Sequence, residues 1–252
     1  MPPRFYLPPE QCQDSTLLLE GSEAHHALHV LRLGPGDELK VLDGAGAEYE
    51  CRFRQASRAS VELEVVKKTL HPQPVWRTTL LQAIPKARLI EPIVQKATEL
   101  GAYCIVPLLS KRVITHLGPE EAARKRDKWQ EIAVEALKQC GAPWLTRVDL
   151  PVSPEQFLAA GQTFELALIG SLQPDARHPR EHFLSFQKEQ GRSPKTLALW
   201  IGPEGDFTSQ ELESAQTAGA KPVTLGELVL RVETAAVYGL SMINYELSWL
   251  NG

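Results

Sequence analysis

The sequence lacks the features that would place the protein in a membrane or hold it together by disulfides. No apolar run among its 252 residues approaches the ~20 needed to cross a bilayer. The first residues, Met1 to Phe5, lack the apolar core of a signal peptide. The four cysteines are widely scattered, with no C-x-x-C pair and no spacing typical of a metal site. We therefore expect a cytoplasmic protein with reduced thiols and no metal.

An excess of positive charge is also missing. The formal net charge is −4, and acidic residues slightly outnumber basic ones on both sides of His71. Binding to nucleic acid draws on lysine and arginine, so tight non-specific binding is not expected. Any RNA site must be a local basic patch. With 43% hydrophobic and 23% charged residues, the composition is otherwise that of an ordinary globular protein.

The last quarter of the chain contains two glycine-rich turns that each follow a predicted strand. The first strand, Leu197–Ile201, runs into the turn Gly202–Asp206, and Thr208 and Glu211 then form a capping box that opens a helix. The second strand, from Lys221, runs into Gly226 and a long helix. Because α/β sheets bind ligands at the carboxyl ends of their strands, these turns predict a ligand crevice.

The residues of these turns indicate what kind of ligand the crevice takes. Neither a Walker motif nor G-x-G-x-x-G is present. Glu204, Asp206 and Glu227 would each repel a polyphosphate by ~1 kcal/mol or more at ~4 Å. The consecutive apolar residues 228–230 suit the face of a flat ring. An aromatic base joined to a positive charge fits this pocket, and S-adenosylmethionine with its sulfonium meets both conditions.

The rest of the chain reads as two domains. Short predicted strands fill the first part, where the alternation Val61–Val65 marks a strand with one solvated face. His71–Pro74 is a stiff linker, so we place the boundary between residues 1–72 and 73–252. From Val75 onward strands alternate with helices, which predicts a mostly parallel sheet with helices on both faces.

Several stretches of this sequence resemble one known family, and they include residues 107–112, 128–129 and 135–141. Ile201–Gly205, Leu225–Ala235, Gln95–Gly101 and His25–Arg32 are similar to the RsmE family of ribosomal RNA methyltransferases, which belongs to the SPOUT class. The resemblance implies an α/β fold: a C-terminal SPOUT domain with a mostly parallel sheet and a trefoil knot, preceded by a small PUA-like β-barrel that binds RNA. It also implies a homodimer.

The resemblance further implies an activity and a cofactor site. The reaction would be methylation of N3 of one uridine in 16S ribosomal RNA, of the uracil-1498 type. S-adenosylmethionine would be the cofactor, and the substrate would be the small ribosomal subunit or a late assembly particle. Three loops would bind the cofactor through Gly170, Ser171, Leu172, Ile201, Gly202, Pro203, Glu204, Gly205, Leu225, Gly226, Leu230, Arg231 and Thr234.

Methylation at N3 requires help because that nitrogen carries a proton. Arg231 is the candidate for stabilising charge on the uracil oxygen, and Glu233 or Glu204 is the candidate base. The alternative for Arg231 and Glu233 is a structural ion pair. Thr234 is expected to cap the last helix. Asp206 stands where the family commonly has glycine, and aspartate tolerates the positive φ better than most residues.

The candidate RNA-binding residues are basic side chains and histidines in both domains. His25 and His29 lie four residues apart, as metal ligands can, but no third ligand is evident. Surface histidines and RNA contact remain the two other interpretations. Lys111, next to Arg112, departs from the family pattern, so the resemblance gives weaker support to a functional role for that loop. The set is Arg4, His25, His26, Arg32, Arg52, Arg54, Lys86 and Arg112.

Two other functions remain open. A related SPOUT enzyme would methylate a ribose 2′-hydroxyl or another base in ribosomal or transfer RNA. A protein of the same fold without activity would only bind RNA.

Overall fold

The computed structural model describes residues 2–13, 15–112 and 117–251, with the side chain of residue 251 left out. The chain forms two compact units. The first comprises Met1–Gln73 and Val134–Leu145, and the second comprises Pro74–Ala133 and Thr146–Gly252.

The first unit is built on a five-stranded sheet in the order β1-β3-β4-β5-β2. Strands β1 and β3 are parallel and the other neighbours are antiparallel. A short helix after β2 continues as a π-helical turn. The elements are β1 (Arg4–Tyr6), β2 (Thr16–Glu20), α1 (Gly21–His25), the π turn (His26–Val30), β3 (Glu38–Leu42), β4 (Ala47–Ala56) and β5 (Ser60–Leu70).

Alternation along the strands fills the core of this unit. On β4, Cys51 and Phe53 are buried while Arg52 and Arg54 are exposed, because neighbouring side chains point to opposite faces of a strand. Burial raises the pKa of the Cys51 thiol to about 12, so this cysteine is an inert core side chain.

The second unit contains a six-stranded sheet in the order β11-β9-β10-β6-β7-β8, and every neighbouring pair is parallel. The carboxyl ends of the strands therefore meet at one edge. The strands are β6 (Arg77–Ala83), β7 (Cys104–Leu108), β8 (Arg147–Val148), β9 (Leu166–Gly170), β10 (Thr196–Ile201) and β11 (Lys221–Val223). The helices are α2 (Ile90–Glu99), α3 (Pro119–Cys140), α4 (Pro154–Ala159), α5 (Pro179–Gln190), α6 (Ser209–Thr217) and α7 (Val232–Asn251).

Residues at the ends of several of these helices determine where each helix begins or stops. Gly101 and Gly141 adopt positive φ after α2 and α3, as their predicted role at the helix C-terminus requires. Thr208 accepts from the amide of Glu211, whose carboxylate accepts in return from the amide of Thr208, so the predicted capping box is present. The predicted cap at Thr234 is wrong, because α7 already begins at Val232 and Thr234 lies in its first turn.

Parallel strands covered on both faces explain the apolar sequence of β10, where every residue from Leu197 to Ile201 is buried. On α7, Leu240, Ile243 and Leu247 are buried core residues. The predicted fold class, a mostly parallel α/β domain preceded by a small β-rich domain, is confirmed. The trefoil knot stays a prediction. Among the described residues, no helix is long and apolar enough to cross a membrane.

Candidate active site

A cavity of about 640 Å³ lies in the second unit where β9, β10 and β11 end. Its walls come from the ends of these strands, the three loops that follow them, the first turn of α7 and one residue that precedes α2. The lining residues are Leu89, Gly170, Ser171, Leu172, Ile201, Gly202, Pro203, Glu204, Gly205, Asp206, Leu225, Gly226, Leu228, Val229, Leu230, Arg231, Val232, Glu233 and Ala235. All the candidate cofactor residues except Thr234 belong to this set, and so do the candidate catalytic residues.

The turn after β10 is held in one conformation by its own side chains. The amide of Asp206 donates to the carbonyl oxygen of Pro203 at 2.9 Å, and Asp206 has a φ of 62°. Its Oδ1 accepts from the amide of Phe207 at 2.7 Å. A Cβ on Gly202 would lie 3.0 Å from that oxygen and 3.2 Å from the Phe207 nitrogen. The turn therefore has little room for a side chain at Gly202, and Asp206 adopts the left-handed backbone that glycine usually supplies.

The loop after β11 is held by a hydrogen bond where it leaves the strand and carries exposed apolar side chains at its tip. The Thr224 hydroxyl donates to the carbonyl of Gly226 at 3.0 Å, and Gly226 needs its glycine because its φ is 115°. Leu228 and Val229 are each 78% exposed although they line the cavity. Apolar side chains at this exposure provide a wall for a flat ring that enters from solvent.

The charged groups of the cavity are three carboxylates and one cation. Glu204, Asp206 and Glu233 surround the space together with Arg231. Among the described residues, no ion pair joins Arg231 to Glu233, so the interpretation of these two as a structural pair is not supported. A site with more acids than bases disfavours phosphate and suits a cationic ligand.

Two neighbouring loops are hydrogen-bonded to the turn after β10. After β6, the amide of Lys86 donates to Oε1 of Glu204 at 2.9 Å, and the adjacent Ala87 has a positive φ of 55°. After β7, the guanidinium of Arg112 donates to the carbonyl oxygen of Gly205. The turn that lines the cavity is thus linked to two loops that bear basic side chains.

These loops bring unpaired cations to the cavity rim. Within the described parts of the chain, Lys86, Arg88 and Arg112 have no carboxylate at ion-pair distance, whereas Lys96, Lys111 and Lys128 each have one. A cation without an acidic neighbour keeps its charge available for phosphate. Two candidate RNA residues, Lys86 and Arg112, thus combine an available charge with a position beside the cavity.

The other candidate RNA residues lie in the first unit. The Arg4 guanidinium donates to the carbonyl oxygens of Lys138 and Gln139 at 3.3 and 3.0 Å, which satisfies the end of α3. Arg54 is paired with Glu62 at 2.8 Å, and a longer ion pair of 4.0 Å joins Arg52 to Glu38.

Three histidines of this unit, His25, His26 and His29, lie in α1 and the π turn that continues it, which together we call the α1 segment. His25 is exposed and its ring centroid lies 4.9 Å from that of His29. His26 is half-buried against Phe5, and Arg32 is exposed with a positive φ of 56°. Among the described residues, no group of His, Cys, Asp and Glu is placed to hold a metal ion. RNA contact by this unit stays a prediction.

Sequence reasoning missed several cavity residues. Leu89 precedes α2 and carries no motif that links it to a distant turn, so its place in the wall depends on the fold. Val232 and Ala235 were not predicted to line the cavity, because the sequence placed the cap of α7 at Thr234 and the helix begins at Val232. Glu211 was recognised only as a capping residue, although its carboxylate also accepts from Ser110 and Lys111.

Comparison with known proteins identifies the class and then the family. The RNA methyltransferase domain family matches residues 71–244, and the RNA methyltransferase PUA domain family matches residues 19–66. Fold and site thus define an RNA methyltransferase with an N-terminal PUA-like domain.

The relatives give the family. Ribosomal RNA small subunit methyltransferase E of Synechocystis is 33% identical over 246 residues, covering 96% of this chain and 77% of its own length. That of Bacillus subtilis is 30% identical over 240 residues, covering 94% and 93%. The chain therefore belongs to the ribosomal RNA small subunit methyltransferase E family, as predicted.

Two solved structures agree with this assignment. A methyltransferase of Legionella pneumophila in complex with S-adenosylmethionine has a TM-score of 0.86 at 29% identity, covering 97% of this chain and 98% of that one. Ribosomal RNA small subunit methyltransferase E of Neisseria gonorrhoeae, also bound to S-adenosylmethionine, has a TM-score of 0.83 at 28% identity with the same coverage. These complexes confirm the predicted cofactor class for the family.

Proposed function

We propose that this protein methylates N3 of a specific uridine in the 16S ribosomal RNA of the small subunit, with S-adenosylmethionine as methyl donor, in the cytoplasm. The observation that carries the proposal is the acidic, partly apolar cavity at the carboxyl ends of β9, β10 and β11, with Arg231 on its wall. Bound there, S-adenosylmethionine supplies an electrophilic methyl group on a cationic sulfur.

The residues present fit this cofactor. The volume of about 640 Å³ is within the range of small-molecule sites. Glu204 and Asp206 offset the positive sulfur, while Leu228 and Val229 provide an apolar wall for the adenine.

Arg231 and Glu233 act on the target base. The proton on N3 has a pKa roughly two units above neutral, so its removal by a positioned base contributes about 10²–10⁴-fold. Glu233 takes that proton, and the guanidinium of Arg231 stabilises the negative charge on the uracil oxygen. Glu204 fits the role of base less well, because its Oε1 already accepts from the amide of Lys86.

The basic side chains at the cavity rim that have no carboxylate partner among the described residues orient the RNA substrate. Lys86, Arg88 and Arg112 lie next to residues of the cavity wall, and they bind phosphates or base edges on either side of the target nucleotide. The PUA-like unit adds contacts through Arg32, Arg52 and the histidines of the α1 segment.

The protein acts as a homodimer through α7. Tyr238, Tyr245 and Trp249 are 50%, 65% and 65% exposed, and their spacing puts them on one face of the helix. An exposed aromatic face of this kind suits a contact between copies of the chain. Trp249→Lys should shift the sedimentation coefficient to that of a monomer, and an unchanged coefficient would remove this face from the interface.

The test is methyl transfer to authentic substrate. Small subunits from a strain that lacks the gene are incubated with protein and labelled S-adenosylmethionine, and the RNA is digested to nucleosides for mass spectrometry. We expect 3-methyluridine at one position. A methyl group on a ribose or another base would contradict the assignment. No transfer together with no calorimetric binding of S-adenosylmethionine would favour a protein that only binds RNA.

A further inference from the structure

We propose that Glu211 is a positioning residue that holds Arg112 at the mouth of the cavity for contact with RNA. The inference rests on the proposed function, because it assigns Arg112 to the binding of the RNA substrate. Glu211 lies on α6, and neither the cofactor site nor the set of RNA residues includes it.

The Glu211 carboxylate is buried and receives four hydrogen bonds. It is 3% exposed, and no cationic side chain pairs with it among the described residues. Oε2 accepts from the amide and the hydroxyl of Thr208, both at 2.8 Å, and from the Ser110 hydroxyl at 3.2 Å. Oε1 accepts from the amide of Lys111 at 2.8 Å. A buried charge is tolerated when its oxygens are satisfied in this way.

Capping alone does not explain this arrangement. A capping box needs only the bonds to Thr208, and glutamine serves in it as well as glutamate. The bonds to Ser110 and Lys111 join α6 to the loop after β7, about a hundred residues away in sequence. Only a carboxylate offers acceptors on both sides, since one end of a glutamine amide is a donor.

The consequence of this link is the position of Arg112. With the amide of Lys111 held by Glu211, the next residue reaches the turn after β10 and donates to the carbonyl oxygen of Gly205. Gly205 lines the cavity. Arg112 is exposed and has no carboxylate partner among the described residues, so its other N–H groups can reach an RNA strand at the cavity mouth.

Glu211→Gln is the perturbation, and Thr208→Ala is its matched control. The glutamine keeps the acceptor for the cap but turns a donor toward the amide of Lys111. The alanine removes the Thr208 hydroxyl from the cap and leaves the bonds from Ser110 and Lys111 to the Glu211 carboxylate. Both variants should lose stability in a urea titration, whereas only Glu211→Gln should alter the use of RNA.

We expect Glu211→Gln to raise the KM for small-subunit RNA about tenfold, with less than a twofold change in the Kd for S-adenosylmethionine. Arg112→Ala should have a similar effect, and the double variant should be no worse than either single one, because the residues act in one chain of contacts. Ser110→Ala leaves α6 intact and should raise the same KM by a smaller factor. It tests the same link between α6 and the loop after β7 even if Glu211→Gln does not fold.

The outcomes separate the two proposals. If the wild-type protein transfers no methyl group to RNA, the proposed function fails and this inference fails with it. If the wild type is active but Glu211→Gln has the KM of Thr208→Ala, or if the effects of Glu211→Gln and Arg112→Ala add, only the inference about Glu211 is overturned.

Discussion

Replacement of Asp206 by asparagine separates charge from backbone geometry in the cavity. Asparagine keeps an Oδ1 that can accept from the amide of Phe207, where the present bond is 2.7 Å. It also tolerates the left-handed backbone, which has a φ of 62° at this position. The substitution therefore removes one negative charge from the cavity wall and leaves the turn in place.

The size of the effect follows from Coulomb's law. Two unit charges ~4 Å apart in a water-like medium interact by ~1 kcal/mol, and Asp206 is only partly buried. We expect Asp206→Asn to weaken binding of S-adenosylmethionine about fivefold. S-adenosylhomocysteine has a neutral sulfur, so its affinity should hardly change. The difference should shrink as salt is added.

Calorimetry with both ligands on the wild type and the variant measures this difference directly. Equal losses for the two ligands would mean that the turn had been disturbed, and no loss for either would mean that Asp206 is not near the sulfonium. Asp206→Gly is a useful comparison. It relieves the left-handed strain but loses the bond to Phe207, so its net change in the free energy of unfolding should stay within about 1 kcal/mol.

Three further predictions concern catalysis, packing and acid stability. Arg231→Ala should lower kcat about 10²–10³-fold with little change in the Kd for S-adenosylmethionine. Single-turnover kinetics measure this rate, and an unchanged rate would contradict the prediction. Gly46→Ala should lower the free energy of unfolding in urea by more than about 2 kcal/mol, because φ is 100° and a Cβ would overlap the Trp144 ring. The Arg192 guanidinium lowers the pKa of Glu165 from 4.5 to about 2. Glu165 therefore adds stability above pH 4.5 that is lost as the pH falls toward 2, and Glu165→Gln should flatten that part of a stability–pH curve; an unchanged slope would contradict the assignment.

Short-range signals made much of the fold predictable. The bond pair of Thr208 and Glu211 spans three residues, and the positive φ of Gly101 or Gly141 is a property of one residue at a helix end. The βα alternation after Val75 predicted the parallel sheet, because helices between successive strands cover both faces of such a sheet. The candidate cofactor residues cluster because the carboxyl ends of parallel strands share one edge.

Contacts between distant parts of the chain could not be predicted from sequence. Lys86 and Glu204 are separated by 118 residues, and Ser110 and Glu211 by 101. Their side chains carry no pattern that identifies the partner. The early start of α7 was missed as well, because Val232 and Glu233 looked like loop residues beside the apolar tip.

The sequence by itself determined the class of fold, the two glycine turns and the sign of the charge around them, because these depend on residue type and short spacing. The tertiary structure alone decided that Leu89 joins the cavity wall, that Val134–Leu145 packs with the first unit, and that one buried carboxylate serves both a helix cap and a distant loop. Such contacts depend on the order and register of strands far apart in the chain, which no local pattern encodes.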